Sequence, residues 1–182
     1  LRLNRNHHTT CPWQHTSLRV AVLAPGASVG HRLDGQESLV VPLVGGVSVT
    51  ADGAEHVLAG RPSVFAGPTD VLYAPAGTAL ELTNTGAAET RVAVCGARVD
   101  DPSGGGREVA VLGADGVPVE QRGAGACSRE VRGLGMLDTL PGAEQILVCE
   151  VVTPAAGWSS YPPHKHDTDR PGQESELEEI YY

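Results

Sequence analysis

Aromatic side chains are scarce in this 182-residue chain, with one Phe, two Trp and four Tyr, and there is a single Met. A core of large rings is excluded, so the 41% of hydrophobic residues must pack chiefly as Val, Leu and Ala. No apolar run approaches the roughly 18 residues of a membrane span. The opening LRLNRNHHTTCPWQHT is too polar for a secretory signal, and without an initiator Met it reads as trimmed. Basic residues are outnumbered 13 to 22, giving a formal net charge of −9, so neither nucleic acid nor an anionic membrane is expected as a partner. Cys11, Cys95, Cys127 and Cys149 form no CxxC pair, which sets aside zinc knuckles and a disulfide framework. They are expected as small buried apolar groups, and a cytoplasmic location follows from that usage. Gly and Pro are plentiful but follow no G-X-Y period, so collagen is out. There is no GxSxG elbow for a serine hydrolase and no GxGxxG after a strand for dinucleotide binding.

What the chain does hold is a succession of short apolar runs cut by turn residues. Leu18–Leu23, Ser38–Val44, Val47–Thr50, His56–Leu58, Ser63–Phe65, Val71–Tyr73, Leu80–Leu82 and Arg91–Val94 read as strands. Asp52-Gly53 is a strong hairpin signal between two of them. No long 3.6-residue period intervenes, so the expected class is all-β, an antiparallel sandwich or barrel. Residues 1–17 form an N-terminal arm, where His7, His8 and His15 read as solvated, and 18–99 a first barrel. Residues 100–107, rich in Gly, read as a linker or exposed loop rather than a phosphate cradle, because no Lys-Ser/Thr follows. Strand-like runs resume over 108–182, most clearly at Gln145–Val152, with a short helical turn expected within Ser128–Leu137.

The last residues concentrate charge: Asp167, Asp169, Glu174, Glu176, Glu178 and Glu179 stand against Lys165 and Arg170. Beside them runs Pro162-Pro163-His164-Lys165-His166-Asp167. On a strand, His164 and His166 share a face while Lys165 points away. Neutral imidazoles with a carboxylate suit a divalent ion, Zn²⁺ or Mn²⁺ first, Fe²⁺ or Ni²⁺ next. Glu179, directly before the apolar run Ile180-Tyr181-Tyr182, is the first choice for the third ligand. Glu178 would face the other way, and Glu174 and Glu176 fall in the intervening insertion.

HxH followed by Glu on β-strands resembles the first metal motif of the cupin superfamily. More narrowly, WSSYPPHKHD (158–167) with ELEEIYY (176–182), LAGRPSVFAG (58–67) and RGAGACSR (122–129) resembles the 5-deoxy-glucuronate isomerase family of myo-inositol catabolism. The likeness covers most of residues 18–182. It implies a bicupin: two double-stranded β-helix (jelly-roll) barrels, the second one bearing the metal. Gly26, His31, Glu37 and Gly45 then fall where a first cupin motif has its glycine, histidine, glutamate and glycine, but two other ligand positions are Leu33 and Leu80. The first barrel is thus expected to have lost its metal, with His31 and Glu37 a hydrogen-bonded or surface pair. Family members run on well past the tyrosines and add a further His, so residues 108–182 are expected to hold only the start of the second barrel, with His164, His166 and Glu179 as its metal ligands.

The resemblance further implies a metal-dependent aldose–ketose isomerisation of 5-deoxy-D-glucuronate to 5-dehydro-2-deoxy-D-gluconate. Its partner is a small sugar acid, and a homo-oligomer is one assembly it allows. Lys165, Arg170, Arg122 and Arg129 are candidates for the sugar carboxylate. The general acid/base stays open among Glu178, Lys165, Asp167 and Tyr181. Ser159, Ser160 and Tyr161 either line the sugar pocket or pack the entry to the metal strand. Two rivals stand beside the isomerase: a non-catalytic cupin fragment that binds a sugar or partner, and a cupin oxygenase using the same ligands.

Overall fold

The computed structural model describes residues 13–102, 105–136, 138–140 and 142–182. Eight strands make the first body: β1 (Thr16–Leu23), β2 (Ser28–Arg32), β3 (Gln36–Ala51), β4 (Ala54–Arg61), β5 (Val71–Ala74), β6 (Ala79–Thr83), β7 (Thr90–Arg98) and β8 (Ala110–Leu112). One ladder runs β1-β7-β3-β5-β8, and β6 bridges β2 and β3 while β4 lies on the other side of β3. The long strand β3 serves both sheets. Its first half pairs with β7 and β5, its second half with β4 and β6, and the register shifts at Pro42–Val44 and Gly45–Val47 mark the bend. Only glycine fits the crossing: a Cβ on Gly60 (φ 63°) would lie 2.0 Å from the Gly45 carbonyl oxygen. Asp52 and Gly53 both take positive φ, as the expected hairpin turn between β3 and β4 requires.

The strand alternation explains what is buried where. Val40, Leu72, Ala74, Val92 and Val94 face the barrel interior with Leu23, Leu33, Val47, Val49, Leu58, Leu80 and Leu82. Their neighbours Leu39, Val41, Val71, Tyr73, Ala93 and Ala97 face outward into a second cluster with Val117, Leu134, Leu140 and Ile146. One sheet is therefore buried on both faces, and its outer cover comes from the residues after 116. Those residues form β9 (Val119–Arg122), β10 (Arg129–Gly135) and β11 (Val148–Val152), an antiparallel sheet with β10 in the middle. Since β8 adds to β5, the first sheet draws in chain from beyond the 100–107 segment. Among the described residues no helix is long and apolar enough to cross a membrane.

Two polar clasps join the bodies. Glu37, 1% exposed, accepts from Tyr73 Oη at 2.7 Å and from the backbone amides of Glu144, Gln145 and Ile146 at 3.0, 2.6 and 2.8 Å. Arg61 and Arg132, 5% and 4% exposed, converge on Glu150 at 2.7 Å each and on the Gly67 carbonyl at 2.6 and 2.8 Å, while Glu130 takes Arg132 Nε at 2.6 Å.

Several local expectations are corrected. Ser63–Phe65 is no strand: Ser63 Oγ caps the amide of Phe65, a 3-10 turn follows at Val64–Ala66, and Phe65 stands 79% exposed. The turn expected within Ser128–Leu137 lies earlier, at Gly125–Cys127, because Arg129–Gly135 is held as the middle strand of a ladder; Leu137 lies outside the described residues. The run at Gln145 yields a strand only from Val148, since the amides of Gln145 and Ile146 are spent on Glu37. Ile180–Tyr182 forms no strand, having no ladder partner among the described residues. Cys149 is exposed rather than buried, whereas burial pushes the Cys95 thiol up to about 12; Cys11, His7 and His8 lie outside the described residues.

Candidate metal centre

The segment carrying the histidines leaves β11 and is tied down at Trp158, whose amide donates to the Ala126 carbonyl at 2.8 Å. It then turns back on itself. Arg170 and Glu174 form a bridge across Pro171-Gly172, and the Leu177 amide donates to the His166 carbonyl at 3.2 Å. His164 and His166 are thereby set beside the strip that carries the glutamates.

The two imidazoles are 5.1 Å apart between ring centres and nearly perpendicular. A Zn²⁺ about 2.1 Å from each ring nitrogen lies about 3.2 Å from each ring centre, so a tetrahedral pair has centres about 5.2 Å apart. Edge-to-face packing gives similar spacings, so the tautomers are the more telling feature. His164 Nδ1 lies 3.1 Å from the Pro162 carbonyl and His166 Nδ1 2.9 Å from the Ser175 carbonyl. A carbonyl oxygen only accepts, so each Nδ1 carries the hydrogen, and each neutral ring is left with its lone pair on Nε2. That is the arrangement in which metal-binding imidazoles are held, the far nitrogen anchored on a carbonyl. Among the described residues, however, no three His, Cys, Asp or Glu side chains converge as a metal site, so Glu179 is not gathered with the histidines. Its carboxylate lies instead beside Cys149 and in a hydrogen bond with Tyr181.

The other carboxylates have other work. Glu174 takes the amides of Asp167 and Thr168 at 2.8 and 3.1 Å and braces the turn. Lys165 Nζ is held by Asp167 at 2.9 Å and Glu174 at 3.5 Å, and the hydrogen bond to Asp167 raises its pKa. Glu178 Oε1 accepts the amide of Gln14 at 2.9 Å. Its Oε2 accepts the amides of His15 and Thr16 and the Thr16 hydroxyl, at 2.8, 2.6 and 2.9 Å. Burial works against the charged carboxylate, but the amides together outweigh it and bring the pKa down to about 2. Nothing in the acidic run distinguished this anchoring role, because its donors are backbone amides, which leave no mark in sequence.

In the first barrel, Leu33 and Leu80 lie in the interior hydrocarbon at 1% and 3% exposure. The expected pairing of His31 with Glu37 is corrected. His31 Nδ1 meets Arg19 at 2.7 Å, and Glu37 shares the outward face of β3 with Leu39 and Val41, where it binds the amides of 144–146. Strand parity forbids it from reaching the barrel interior. Arg129, a candidate for the sugar carboxylate, lines a shallow groove of about 400 Å³ with Phe65, Ser128, Glu130 and Val152, away from both histidines, and donates to the Cys127 carbonyl. Trp158 and Tyr161, half exposed, meet edge-on with ring centres 6.4 Å apart ahead of the histidines.

Comparison with known proteins places these features in a family. The model of the KduI/IolB family matches residues 3–182. The 5-deoxy-glucuronate isomerase of Bacillus subtilis (strain 168) is 36% identical over 170 residues, covering 92% of this chain and 60% of its own. That of Halalkalibacterium halodurans is 37% identical over 172 residues, covering 93% and 61%. The chain thus spans about three-fifths of the length of the curated relatives it matches. Among solved structures, an IolB-like protein from Salmonella typhimurium LT2 superposes with a TM-score of 0.80 at 32% identity, over 90% of this chain and 60% of the other. A putative glyoxylate-induced protein from Pseudomonas aeruginosa shares the fold alone, at TM-score 0.52 and 15% identity, over 70% of this chain and 46% of the other.

Proposed function

The chain belongs to the KduI/IolB family, and from that premise we propose that it carries the metal-binding part of a sugar isomerase. The enzyme converts 5-deoxy-D-glucuronate to 5-dehydro-2-deoxy-D-gluconate, in the cytoplasm, within inositol catabolism. The observation that carries the reading is the pair of carbonyl-anchored imidazoles, His164 and His166, with Nε2 left to bind. A facial set for Zn²⁺ or Mn²⁺ would be completed by Glu179, which must turn from Tyr181 to the histidines to join it. A divalent ion held there supplies Lewis acidity to the carbonyl oxygen of an open-chain sugar.

The residues of this chain divide the remaining work. Glu178 is committed to the amides of 14–16, and Lys165 and Asp167 to each other, so the proton donor is assigned to Tyr181, 79% exposed and hydrogen-bonded to Glu179. Trp158 and Tyr161 offer an amphipathic wall on which a sugar ring face can lie.

The test is metal content and turnover. Purified protein should hold close to one equivalent of Zn²⁺ or Mn²⁺, and H164A and H166A should lose it while keeping the wild-type melting temperature. Unchanged occupancy in both variants sinks the site. Incubation with 5-deoxy-glucuronate, anaerobically and in air, should give the same ketose product at the same rate. A product formed only in air replaces the isomerase with an oxygenase.

A further inference from the structure

The three-stranded sheet β9-β10-β11 has one side closed by the first barrel and one side open, and the open side carries arginine. We propose that Arg122 receives the carboxylate of the sugar acid on that open side. The inference rests on the sugar-acid reading given above and on none of the metal ligands.

The ladder fixes which side chains share the open side. Between β10 and β9, Arg129 pairs with Arg122 and Val131 with Glu120; between β10 and β11, Val131 pairs with Val151. Paired residues project to one side, and alternation along β11 puts Cys149 there with Val151. The opposite side, with Arg132, Leu134 and Glu150, is turned to the first barrel, where it meets Arg61 and the second apolar cluster. Arg122, Glu120, Val151 and Cys149 are exposed accordingly. The glutamate strip returns to this side, with Glu179 hydrogen-bonded to Tyr181 and lying beside Cys149. Burial raises the Cys149 pKa, the Arg122 charge lowers it and the Glu179 charge raises it again, so both groups are within electrostatic reach of the thiol. The histidine-bearing segment starts here too, since the Trp158 amide donates to the Ala126 carbonyl in the loop joining β9 to β10.

Among the described residues the Arg122 side chain makes one hydrogen bond, from Nε to Glu120 at 2.8 Å, and it is 52% exposed. Glu120 aims the guanidinium and leaves its two Nη groups, an edge that matches a carboxylate in bidentate geometry. Nearby cations are engaged elsewhere. Arg129 Nη1 donates to the Cys127 carbonyl at 3.0 Å, Arg132 is buried on Glu150, and Lys165 is held by Asp167 and Glu174. Arg129 and Arg122 also oppose each other across the ladder, where like charges are destabilising, and an arriving carboxylate relieves that repulsion. An open-chain uronic acid bears its carboxylate at the end away from the reacting carbonyl. Held by Arg122 at one end, it extends past Cys149 towards Tyr181, the proton donor assigned above.

The experiment follows protection of Cys149 from a thiol reagent in the 182-residue chain, read on the Cys149 peptide by mass spectrometry. D-Glucuronate is the probe and should slow labelling of wild type saturably. D-Glucuronamide, which lacks the charge, should not. R122M should raise the glucuronate concentration for half protection by about tenfold to a hundredfold, the range for losing a hydrogen bond between charged groups. R122K keeps the charge without the fork and should fall between. R129M should cost less than R122M. With 5-deoxy-glucuronate as substrate the same order should appear in KM while kcat stays near the wild-type value, as for lost uniform binding. Wild type left unprotected by glucuronate, equal protection by glucuronamide, equal protection of R122M, or a larger loss in R129M each overturns the inference. Protection that R122M abolishes, in a chain that does not isomerise 5-deoxy-glucuronate, upholds the carboxylate receptor and removes the isomerase instead. Turnover whose KM is the same in R122M overturns the receptor and spares the isomerase. Arg122 is on the surface, so each variant should keep the wild-type melting temperature; if R122M does not fold, the shift in R122K decides in its place.

Discussion

Replacing Glu150 by alanine should cost about 3 to 4 kcal/mol of folding stability. Glu150 lies on β11 and is the shared acceptor of two arginines from different bodies, Arg61 at the end of β4 and Arg132 on β10. The side chains of Arg61 and Arg132 are 3% and 5% exposed, so neither charge can return to water without movement. Removing the partner of a buried ion pair costs about 3 to 5 kcal/mol, because the remaining charge stays desolvated. Two features place Glu150→Ala below the top of that range: the glutamate side chain is itself 17% exposed, and Arg132 keeps Glu130. E150Q retains the shape and one acceptor and should lose about 2 kcal/mol. Replacing Arg61, Glu150 and Arg132 together with Met should recover most of the loss, since an apolar substitute for a buried ionic triad is often neutral. Urea unfolding followed by circular dichroism measures each value. An E150A loss below about 1 kcal/mol would refute the reasoning, because it would mean that water already solvates the arginines. The slope of the transition adds a second reading. If the network is what couples the two bodies, E150A should broaden or split a transition that is single in wild type.

How much of this was legible beforehand differs between strand and clasp. The runs SLVVPLV and RVAV mark β3 and β7 because strands buried on both faces read as continuous apolar stretches. What covers the second face is not written there: Val117, Leu134, Leu140 and Ile146 arrive from sequence that carries no pairing signal with β3. The Asp52-Gly53 turn was readable because only a few residue pairs tolerate two positive φ values. Glu37 was misread for a physical reason. Its motif position suggested a hydrogen-bonded or surface pair with His31, but its parity with Leu39 and Val41 puts it on the outer face, and its partners are three amides and the Tyr73 hydroxyl. The closeness of His164 and His166 matches their spacing of two, although the strand expected to carry them does not form. The tautomers were not legible, since they depend on the carbonyls of Pro162 and Ser175, and any residue supplies a carbonyl.

Two further outcomes follow from the Glu37 clasp. E37Q sets an amide NH₂ among donors that are already N–H groups, so it should lose about 2 kcal/mol in urea unfolding and speed amide exchange at 144–146; unchanged exchange there would remove Glu37 from its assigned role. Tyr73, 1% exposed, donates a hydrogen bond to the same carboxylate, and burial first, then Glu37, raises its pKa above the ordinary 10. The sign is set by which state holds the proton: above pH 10 the unfolded chain releases it and the folded chain retains it. The stabilisation is therefore complete below pH 10 and lost as pH rises beyond it, by up to about 1.4 kcal/mol per pH unit. In urea titrations at pH 8, 10, 11 and 11.5, wild type should lose midpoint steeply above pH 10, whereas Y73F should start lower and decline less. Parallel curves would show that Tyr73 ionises in the folded protein as easily as in the unfolded one. A buried phenol on a buried carboxylate cannot do so unless the clasp between the two bodies opens first.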